Sequence, residues 1–548
     1  MKRQRQSQRQ RRSKTPLAVA GLLVVLLLPF VARSRKVATP RATGGHEKLI
    51  IITANNESIR YEFGRAFREH MARQGRDVDV DWRSPGGSAE IARTLASEFA
   101  SSFERHWRED LHRRWTAEIA AGFSQPVPDG ATGDVADARR AFLASSATAG
   151  VDIVFGGGSP EFVKYAAAGR IVDSGIVRRH PELFGPGGIP AELGGETFWD
   201  RDGRWVGACL SSFGICYNRD ALARLGITEP PTSWSAVATP IFRGQVALSD
   251  PTKSATSGKA IEMIVQKQMA DARARAEAAG VSDTAALDDA TRRDGWPEAM
   301  RLLRRLGANA RYFTDQSTKI PLDVASGDST VGMCIDYYGR FQAEAAAAAG
   351  RPGSVGFVTA RGETSINPDP IALLRGAPHR ELAIAFIEFV LSDDGQKLWS
   401  FRQGTPGGPE RYTLRRLPIV PHLYDAAFDA YRADPDDKPY EQAHEFVYHR
   451  AWTGPLYGAI AFVVRAMCVD PERELRDAYE ALARAGFPPE ATALFNDVSA
   501  VDYATVAGPM RAALQSVDPM DEARWSIRLV SGFRAQYRRV AALAREGR

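Results

Sequence analysis

Residues 308–339 read ANARYFTDQSTKIPLDVASGDSTVGMCIDYYG, and the strand near their end indicates both the fold and the place of a site. The apolar run Val331–Ile335 predicts a buried strand that ends directly before Asp336, Tyr337 and Tyr338. Open α/β sheets bind ligands outside the carboxyl ends of their strands. We therefore expect at least one of the two phenols to face a ligand. The alternative is that one ring packs in the core, because neighbouring strand residues point to opposite faces.

A unit of strand, small polar loop and amphipathic helix recurs three times near the start of the body. The strands are predicted at 48–53, 78–82 and 151–155, and the loops after them contain NNES, PGGS and GGGS. Alternating strands and helices imply a parallel sheet covered on both faces, with all three loops at the same edge. The small residues let a bound group approach the backbone closely.

A second polar loop follows a strand predicted at 245–248. It reads SDPTKSATS over residues 249–257, and a helix is predicted from Gly258. Hydroxyls crowded at a helix start, with Lys253 beside them, form an anion site, because backbone N–H groups and the helix dipole both favour negative charge there. The alternative is ordinary helix capping, for which one hydroxyl is enough.

The net charge of +5 is unevenly distributed. The first 36 residues hold ten of the 71 Lys and Arg and no acid, so the remainder carries 61 basic against 66 acidic residues. Nothing in the body resembles the basic stripe of a nucleic-acid-binding protein. The basic tail precedes an uncharged run over residues 15–32, which predicts an export signal or a retained membrane anchor with an inside amino terminus. The length of the run decides neither cleavage nor retention, and two facts favour retention: no A-x-A cleavage site follows, and Arg33, Arg35 and Lys36 come directly after the run.

The length of 548 residues makes a single domain improbable. Four cysteines at 209, 216, 334 and 468 show no C-x-x-C pair and no zinc spacing, so we expect buried thiols, and their spacing assigns no disulfide. Two stretches, about 100–150 and about 268–293, read as helical insertions on the surface, and about 130 residues beyond Pro418 have a mostly helical pattern.

In their order and spacing, several segments resemble the extracellular solute-binding proteins of ABC importers, in particular the ferric-iron-binding branch. They span about residues 49–418. They read ITANNESIRYEFGRAF, GVDIVFGGGSPEFVKYAAAGRIV, WVGACLSSFGICYNRDAL, VALSDPTKSATSGKA, GANARYFTDQSTKIPLDVASGDSTVGMCIDYYGR, INPDPIALL, FIEFVLSDDGQKLW and GTPGGP.

This resemblance implies an α/β fold of the two-lobed type II periplasmic-binding class, with crossovers near 211–217 and 367–371. The lobes would close on a ligand in the cleft between them. The expected divisions are a basic tail and apolar segment over 1–36, lobe 1 over 48–210, lobe 2 over 211–366, a return to lobe 1 over 367–418, and a helical carboxyl-terminal extension over 419–548.

The resemblance also implies which residues contact the ligand. They come from the loop after the first strand, the two Gly-rich loops, the polar helix start and the tyrosine pair. The predicted ligand-binding residues are Asn55, Asn56, Glu57, Gly87, Ser88, Gly157, Gly158, Ser159, Ser254, Thr256, Ser257, Asp336, Tyr337 and Tyr338. In iron-binding relatives two tyrosines, a His and a carboxylate hold the metal, often with an accompanying anion. Tyr337 and Tyr338 match those tyrosines, whereas Asn55 stands where such relatives tend to carry the His.

Two ligands suit this set of residues. Ferric iron prefers oxygen ligands, so phenolates with Glu57 or Asp336 would bind it, although the charge of the metal must drive deprotonation of a phenol. A phosphorylated or carboxylated small molecule would suit the same loops, with amides and hydroxyls for the anion and tyrosines for the body. We place ferric iron with an accompanying anion first, and expect no required cofactor.

The expected function is capture of such a ligand in the periplasm, or at the outer face of the cell membrane, and delivery to an ABC permease. One alternative is a membrane-anchored ligand sensor with the same fold. The other is a secreted hydrolase, but His444 and His449 are five residues apart rather than four, and Gly157-Gly158-Ser159-Pro160-Glu161 lacks the last glycine of a nucleophile elbow. We therefore expect no enzyme.

Overall fold

The computed structural model describes residues 46–516 and 518–548. The tail and apolar segment predicted over residues 1–36 lie outside the described residues. The described chain contains a seven-stranded sheet, a five-stranded sheet and a two-stranded hairpin. Each of the two large sheets is the centre of one lobe, so the predicted two-lobed α/β architecture is confirmed.

Strands and helices alternate through both lobes, and the chain then becomes mostly helical. The strands are β1 (Glu47–Thr53), β2 (Val78–Arg83), β3 (Ile153–Phe155), β4 (Ile171–Val172), β5 (Glu192–Leu193), β6 (Glu196–Thr197), β7 (Val206–Ser211), β8 (Phe213–Asn218), β9 (Val246–Ser249), β10 (Ala310–Thr314), β11 (Val331–Ile335), β12 (Val355–Thr359), β13 (Asn367–Leu374) and β14 (Leu417–Pro418). The helices are α1 (Glu57–Arg73), α2 (Ser88–Arg105), α3 (Ala117–Gly122), α4 (Asp134–Ala144), α5 (Ser159–Ala168), α6 (Ile176–Arg179), α7 (Pro181–Phe184), α8 (Arg219–Arg224), α9 (Trp234–Val237), α10 (Ala255–Ala278), α11 (Thr284–Ala290), α12 (Trp296–Ala308), α13 (Lys319–Ser326), α14 (Asp336–Ala348), α15 (Arg380–Leu391), α16 (Asp393–Ser400), α17 (Pro439–Gln442), α18 (Arg450–Thr453), α19 (Tyr457–Val464), α20 (Glu472–Arg484), α21 (Pro489–Asn496), α22 (Tyr503–Thr505), α23 (Arg511–Leu514) and α24 (Pro519–Arg545). Short 3₁₀ or π-helical turns lie at His106–Asp110, Pro240–Phe242, Thr291–Gly295, Pro421–Tyr424, Ala426–Phe428, Gly454–Leu456, Arg465–Val469, Ser499–Val501 and Val506–Met510.

The sheet of lobe 1 has the order β14-β7-β13-β3-β1-β2, and β4 pairs with β13. β1 runs parallel to β2 and β3, as predicted for the three repeated units. β13 is antiparallel to β3 and β7, and β14 is antiparallel to β7, so the expectation of a wholly parallel sheet is wrong. The reason is that β13 enters this sheet from lobe 2 through a crossover rather than through a covering helix.

Helix α1 shows how the repeated unit folds. The Asn56 side chain caps the helix by accepting from the backbone N–H of Ile59 over 3.1 Å. Ile59, Phe63 and Phe67 recur every four residues and are fully buried against the sheet and helix α15. Burial of each large apolar side chain contributes about 2 kcal/mol, which fixes the helix on the sheet.

The sheet of lobe 2 has the order β10-β9-β11-β8-β12, with β9, β10 and β11 parallel to one another. Strand β11 occupies the predicted residues 331–335. Helix α14 begins at Asp336, so Tyr337 and Tyr338 lie in a helical turn rather than on the strand. The expectation that they point to opposite faces of a strand is therefore wrong.

The chain passes between the lobes three times. Ser212 alone separates β7 of lobe 1 from β8 of lobe 2, and residues 360–366 join β12 to β13. The first crossover lies at the start of its predicted range, whereas the second comes before its predicted range. The third connection follows β14 and leads to α18, which packs on α10 of lobe 2.

Both predicted insertions contribute to the interior, so the expectation of surface decoration is wrong. The first buries Phe103, Trp107 and Phe142 in a core on the outer face of lobe 1. The second buries Leu287 and Thr291 beside α10. The carboxyl-terminal extension is mostly helical, as predicted, and α20 packs on α12 and α24.

Among the described residues, one helical stretch, Arg450–Val469, has the length and apolar composition that a membrane span requires. It is 67% buried inside the protein, where α19 packs on α10. A core helix passes the same test of length and composition. The four cysteines are buried and free, as expected.

Candidate functional site

A cavity of about 500 Å³ lies between the two lobes. Its walls are the loops that follow β1, β2 and β3 in lobe 1 and β9, β10 and β11 in lobe 2. The loops of opposite lobes meet beside it, since a Cβ built on Gly158 would lie 4.0 Å from that of Ala255. The site is thus built from the carboxyl ends of parallel strands on both sides, as the rule for open α/β sheets requires.

Six helices begin at this cavity. Their N-cap residues all line it, three from lobe 1 and three from lobe 2. They are Asn56, Gly87, Gly158, Ser254, Thr318 and Ile335. The first turn of a helix leaves backbone N–H groups without intrahelical partners, and its end carries partial positive charge. The helix starts therefore contribute positive electrostatic potential to the cavity, in addition to the charge of its side chains.

Side chains cap only some of these helices. Asn56 accepts from Ile59 N–H over 3.1 Å and Ser254 accepts from Ser257 N–H over 3.4 Å. No side chain caps the helices that start after Gly87, Gly158 and Thr318. The first N–H groups of the helices after Gly87 and Gly158 are available to an anion in the cavity. After Thr318, the Lys319 and Ile320 N–H groups donate to the Gln316 and Ser317 carbonyl oxygens over 3.2 and 3.3 Å.

Local geometry explains the three glycines after β3. Gly156, Gly157 and Gly158 have φ angles of 80°, 118° and 85°, which L residues rarely adopt. A Cβ on Gly156 would lie 3.0 Å from the Asn55 side chain. The Ser88 hydroxyl donates to the Gly157 carbonyl oxygen over 3.2 Å, which ties the second loop of lobe 1 to the third.

Three positively charged side chains of the described residues line the cavity. Lys259 is paired with two carboxylates, whereas Arg60 and Lys253 line the cavity from opposite lobes. Arg60 extends from the first turn of α1, and Lys253 precedes α10. Neither makes an ion pair or a side-chain hydrogen bond with the residues that the structure describes, and Arg60 Nε is buried without a partner. A buried donor without a partner is costly, and an unpaired ammonium attracts negative charge, so Arg60 and Lys253 both favour an anionic ligand.

The two tyrosines meet at the cavity wall, with ring centroids 4.1 Å apart. Burial raises the pKa of both phenols above their ordinary value, despite the positive charge of Arg416 nearby. Arg416 is fully buried and pairs with Asp369, which also lines the cavity. The phenols are therefore protonated hydrogen-bonding groups in the protein alone.

Asp336 lies behind this wall and does not line the cavity. Its carboxylate accepts from Ser212 N–H over 3.1 Å and from Tyr337 N–H over 2.8 Å, and its own N–H donates to the Ser212 carbonyl over 3.0 Å. Burial raises the pKa of the Asp336 carboxyl to about 6. Asp336 thus attaches the tyrosine turn to the first crossover.

The structure brings ten of the fourteen predicted ligand residues together at the cavity, and places four elsewhere. Glu57 is exposed beside it, and Ser159 is buried in the first turn of α5. The Ser257 hydroxyl is hydrogen-bonded to that of Ser249 in the interior. The fourth residue, Asp336, accepts hydrogen bonds from the backbone N–H groups of Ser212 and Tyr337 behind the cavity wall.

Sequence reasoning missed several lining residues: Arg60, Phe213, Lys259, Asp315, Gln316, Ser317, Thr318, Asn367 and Asp369. The polar run over 315–318 follows strand β10, just as the other polar loops follow their strands. This pattern is visible in the sequence and could have predicted these four residues. Arg60 is the fourth residue of α1 and Lys259 the fifth residue of α10, and a charged residue within a helix most often faces solvent.

Groups of three or more His, Cys, Asp or Glu side chains able to hold a metal ion do not occur within residues 46–516 and 518–548. No histidine is among the described residues that line the cavity, so the tyrosine pair has no imidazole beside it there. Asp315 and Asp369 are the acidic side chains of the described residues that line the cavity, and Asp369 is engaged with Arg416.

Two α/β lobes, crossovers between them and a polar cavity in the cleft define a solute-binding protein of the type II periplasmic-binding class. Residues 128–413 match the family described as bacterial extracellular solute-binding protein, and the chain belongs to that family. Proteins of this family bind small ligands and work with ABC permeases, and membership implies an extracytoplasmic location. The resemblance found in the sequence is confirmed.

Curated relatives match a smaller part of the chain. The phosphoglycerate transport regulatory protein PgtC of Salmonella typhimurium is 23% identical over 193 residues, which are 35% of this chain and 40% of the relative. An uncharacterized protein of Haemophilus influenzae is 24% identical over 195 residues, 36% of this chain and 46% of the relative. The match thus spans less than half the length of these relatives.

Solved structures with a similar fold include those of HitA and the periplasmic binding protein AfuA. Iron-bound HitA from Pseudomonas aeruginosa has 15% identity and a TM-score of 0.44, with 74% of this chain and 94% of that chain covered. AfuA from Actinobacillus pleuropneumoniae, with exogenous fructose-6-phosphate bound, has 16% identity and a TM-score of 0.42, with coverage of 65% and 82%.

Proposed function

We propose that this protein is the substrate-binding component of an ABC importer, and that its cargo is a small organic anion with a phosphate or carboxylate group. The observation that carries the proposal is the convergence of six helix starts with Arg60 and Lys253 on one cavity. Its volume of about 500 Å³ is in the usual range for a small-molecule site. The name of the PgtC relative supports a phosphorylated acid.

The electrostatics of the two walls explain how such a cargo would close the lobes. Each lobe supplies three helix starts and one unpaired cationic side chain. A ligand shifts a conformational equilibrium only by the difference in its binding free energy for the two forms. An anion that contacts both walls gains most in the closed form, because only there do Arg60 and Lys253 act together.

Ferric iron with an accompanying anion is the second candidate, favoured by the paired phenols. Phenolate oxygens suit a hard trivalent ion. Two observations argue against iron. Asn55 stands where an imidazole would be expected, and the Arg416 guanidinium, 4.3 Å from the Tyr337 ring centre, would repel a cation. Among the described residues the balance of charge on the wall favours an anion.

The cargo proposal is tested on the full-length chain by native mass spectrometry after mild purification, followed by thermal unfolding with added solutes. A ligand present at 100 times its Kd stabilises the folded form by about 2.7 kcal/mol. We expect stabilisation by phosphorylated or carboxylated acids of three to six carbons, and none by neutral sugars of the same size. Stabilisation by ferric iron alone would reverse the order of the two candidates.

A measurement of cargo uptake by cells distinguishes delivery to a permease from ligand sensing. We expect cells that lack this protein to lose uptake of the radiolabelled cargo, and cells that lack its permease to show the same loss. Unchanged uptake together with a changed transcriptional response would favour the sensor, a role consistent with the word regulatory in the name of the PgtC relative.

A further inference from the structure

Residues 440–457, here called the strap, cross from lobe 1 to lobe 2 beside the cavity. Tyr448 N–H donates to the Gly194 carbonyl oxygen in the β5–β6 hairpin of lobe 1, over 2.8 Å. A Cβ on the neighbouring Gly195 would lie 1.9 Å from the Tyr448 carbonyl oxygen. The strap therefore sits on the hairpin of lobe 1 with no room for a side chain between them.

The strap also binds helix α10 of lobe 2. The hydroxyls of Tyr448 and Thr453 donate to Glu262 Oε1 over 2.8 and 2.7 Å. Gln266 donates to the His449 carbonyl over 2.9 Å and accepts from its N–H over 3.0 Å. One short segment thus holds both lobes through direct hydrogen bonds.

An ion cluster between the lobes lies under the strap. Lys259 Nζ of lobe 2 is 2.8 Å from Glu196 of lobe 1 and 3.2 Å from Glu262, and all three side chains are at most 5% exposed. Burial disfavours the ammonium, but the two carboxylates outweigh it and raise the pKa of Lys259. The same ammonium lies 3.9 Å from the centre of the Tyr448 ring. Because one ammonium serves two carboxylates, Glu262 depends on the hydroxyls of the strap for its remaining hydrogen bonds.

The cluster is connected to both the hinge and the cavity. Glu196 accepts from the Ser365 hydroxyl, in the second crossover, over 2.6 Å. Lys259 lines the interlobe cavity. Separation of the lobes at this point would break the Glu196–Lys259 pair and leave buried charges without partners, which is strongly unfavourable.

We propose that the strap holds the two lobes closed before cargo binds. The closed population is then set by the strap as well as by the ligand, so a cargo with modest contacts to both walls meets a cavity that is already assembled. Opening for entry and release requires the strap to leave one lobe. The proposal concerns the empty protein and is independent of the identity of the cargo.

The test traps the closed form in the full-length chain, freed of small molecules and confirmed empty by native mass spectrometry. Gly158→Cys with Ala255→Cys places two Cβ atoms within the distance that a disulfide needs, since the present separation is 4.0 Å. Because Gly158 has a φ of 85°, which L residues rarely adopt, every protein that is compared carries this same cysteine pair, and hydrogen exchange repeats the comparison without it. The native cysteines are all buried and do not compete. We expect most of the empty protein to cross-link under mild oxidation, and removal of the strap hydroxyls by Tyr448→Phe with Thr453→Val to slow cross-linking about tenfold.

Tyr479→Phe is the matched control, because it removes a buried phenol that donates to Ala238 within lobe 2 and does not touch the strap. It should cross-link like the parent. Hydrogen exchange of residues 156–158 and 253–256 gives the same comparison without added cysteines, and the strap variant should exchange faster there. Slow cross-linking of the empty parent, or equal exchange in parent and strap variant, would overturn the proposal. Since no cargo is added, either result leaves the cargo proposal standing.

Discussion

The guanidinium carbon of Arg416 lies 4.3 Å from the centre of the Tyr337 ring. Arg416 precedes β14 of lobe 1, whereas Tyr337 belongs to the first turn of α14 in lobe 2. The guanidinium also donates to the Ser211 hydroxyl over 2.5 Å and to the Asp369 carboxylate. The Arg416 side chain thus contacts β7 and β13, the two strands of lobe 1 that adjoin the crossovers, and also the Tyr337 ring at the cavity.

Replacement of Arg416 is expected to destabilise the protein. Arg416→Leu leaves Asp369 without its partner, and loss of one member of a buried pair costs about 3 kcal/mol or more. The measurement is the midpoint of urea unfolding. Arg415→Leu is the control, because Arg415 pairs with Glu344 and Asp434 nearer the surface, where a pair contributes about 1 kcal/mol or less. An equal decrease of the urea midpoint in the two variants would contradict the prediction that the buried Arg416–Asp369 pair stabilises the protein more than the Arg415 pairs do.

Asp336 is expected to make stability fall as pH rises from about 4 to 6. Burial raises the pKa of its carboxyl from 3.8 to about 6, so in that window the folded protein keeps a proton that the unfolded chain has released. The unfolded state binds fewer protons, hence the free energy of unfolding decreases with pH, by about 3 kcal/mol in total, and levels off above pH 6.

The variant Asp336→Asn isolates this effect, because an amide of the same shape does not titrate. The difference in free energy of unfolding between parent and variant, measured by urea at pH 4, 5, 6 and 7, should change up to pH 6 and then stay constant. A difference that does not vary with pH would show that the carboxyl titrates at its ordinary value.

Arg60 and Lys253 are expected to carry the affinity for anions. Arg60→Gln and Lys253→Gln should each weaken binding of the phosphorylated or carboxylated solute found in the screen by about 10- to 100-fold, since a hydrogen bond to a charged group contributes about 1.5–3 kcal/mol. Calorimetry at two salt concentrations measures the loss. Lys48→Gln, an exposed lysine paired with Asp81 away from the cavity, should bind like the parent. Unchanged affinity in both cavity variants would place the anion elsewhere.

The sequence and the structure agree where information is local. Strand β11 occupies the residues predicted for it, because an apolar run carries its own signal. The loops after β1, β2, β3 and β9 were found because turn residues follow each strand. Tyr337 lines the cavity, as the sequence predicts for a residue at this sheet edge, but it belongs to helix α14 and not to a strand. The apolar pattern does not mark the residue at which the strand ends and the helix begins.

Contacts between distant segments could not be read in this way. Glu196 and Lys259 are separated by 63 positions and belong to different lobes, and no local pattern pairs them. The strap lies in a region whose helical pattern indicated no chemistry. Its role depends on where the fold places Tyr448 and Thr453, which only the tertiary structure shows.

The tyrosine pair separates the two cargo candidates. Tyr337→Phe with Tyr338→Phe keeps both rings, so the packing and the unfolding midpoint should remain close to those of the parent. Binding of the anionic cargo should be abolished or strongly weakened, because the two phenol hydroxyls at the cavity wall are lost. Visible absorption with added ferric iron and bicarbonate should show no tyrosinate band in the parent, since burial raises the pKa of both phenols and Arg416 opposes a cation. A reddish band in the parent that disappears in the double variant would establish iron as the cargo, and full anion affinity in that variant would remove the tyrosines from the site.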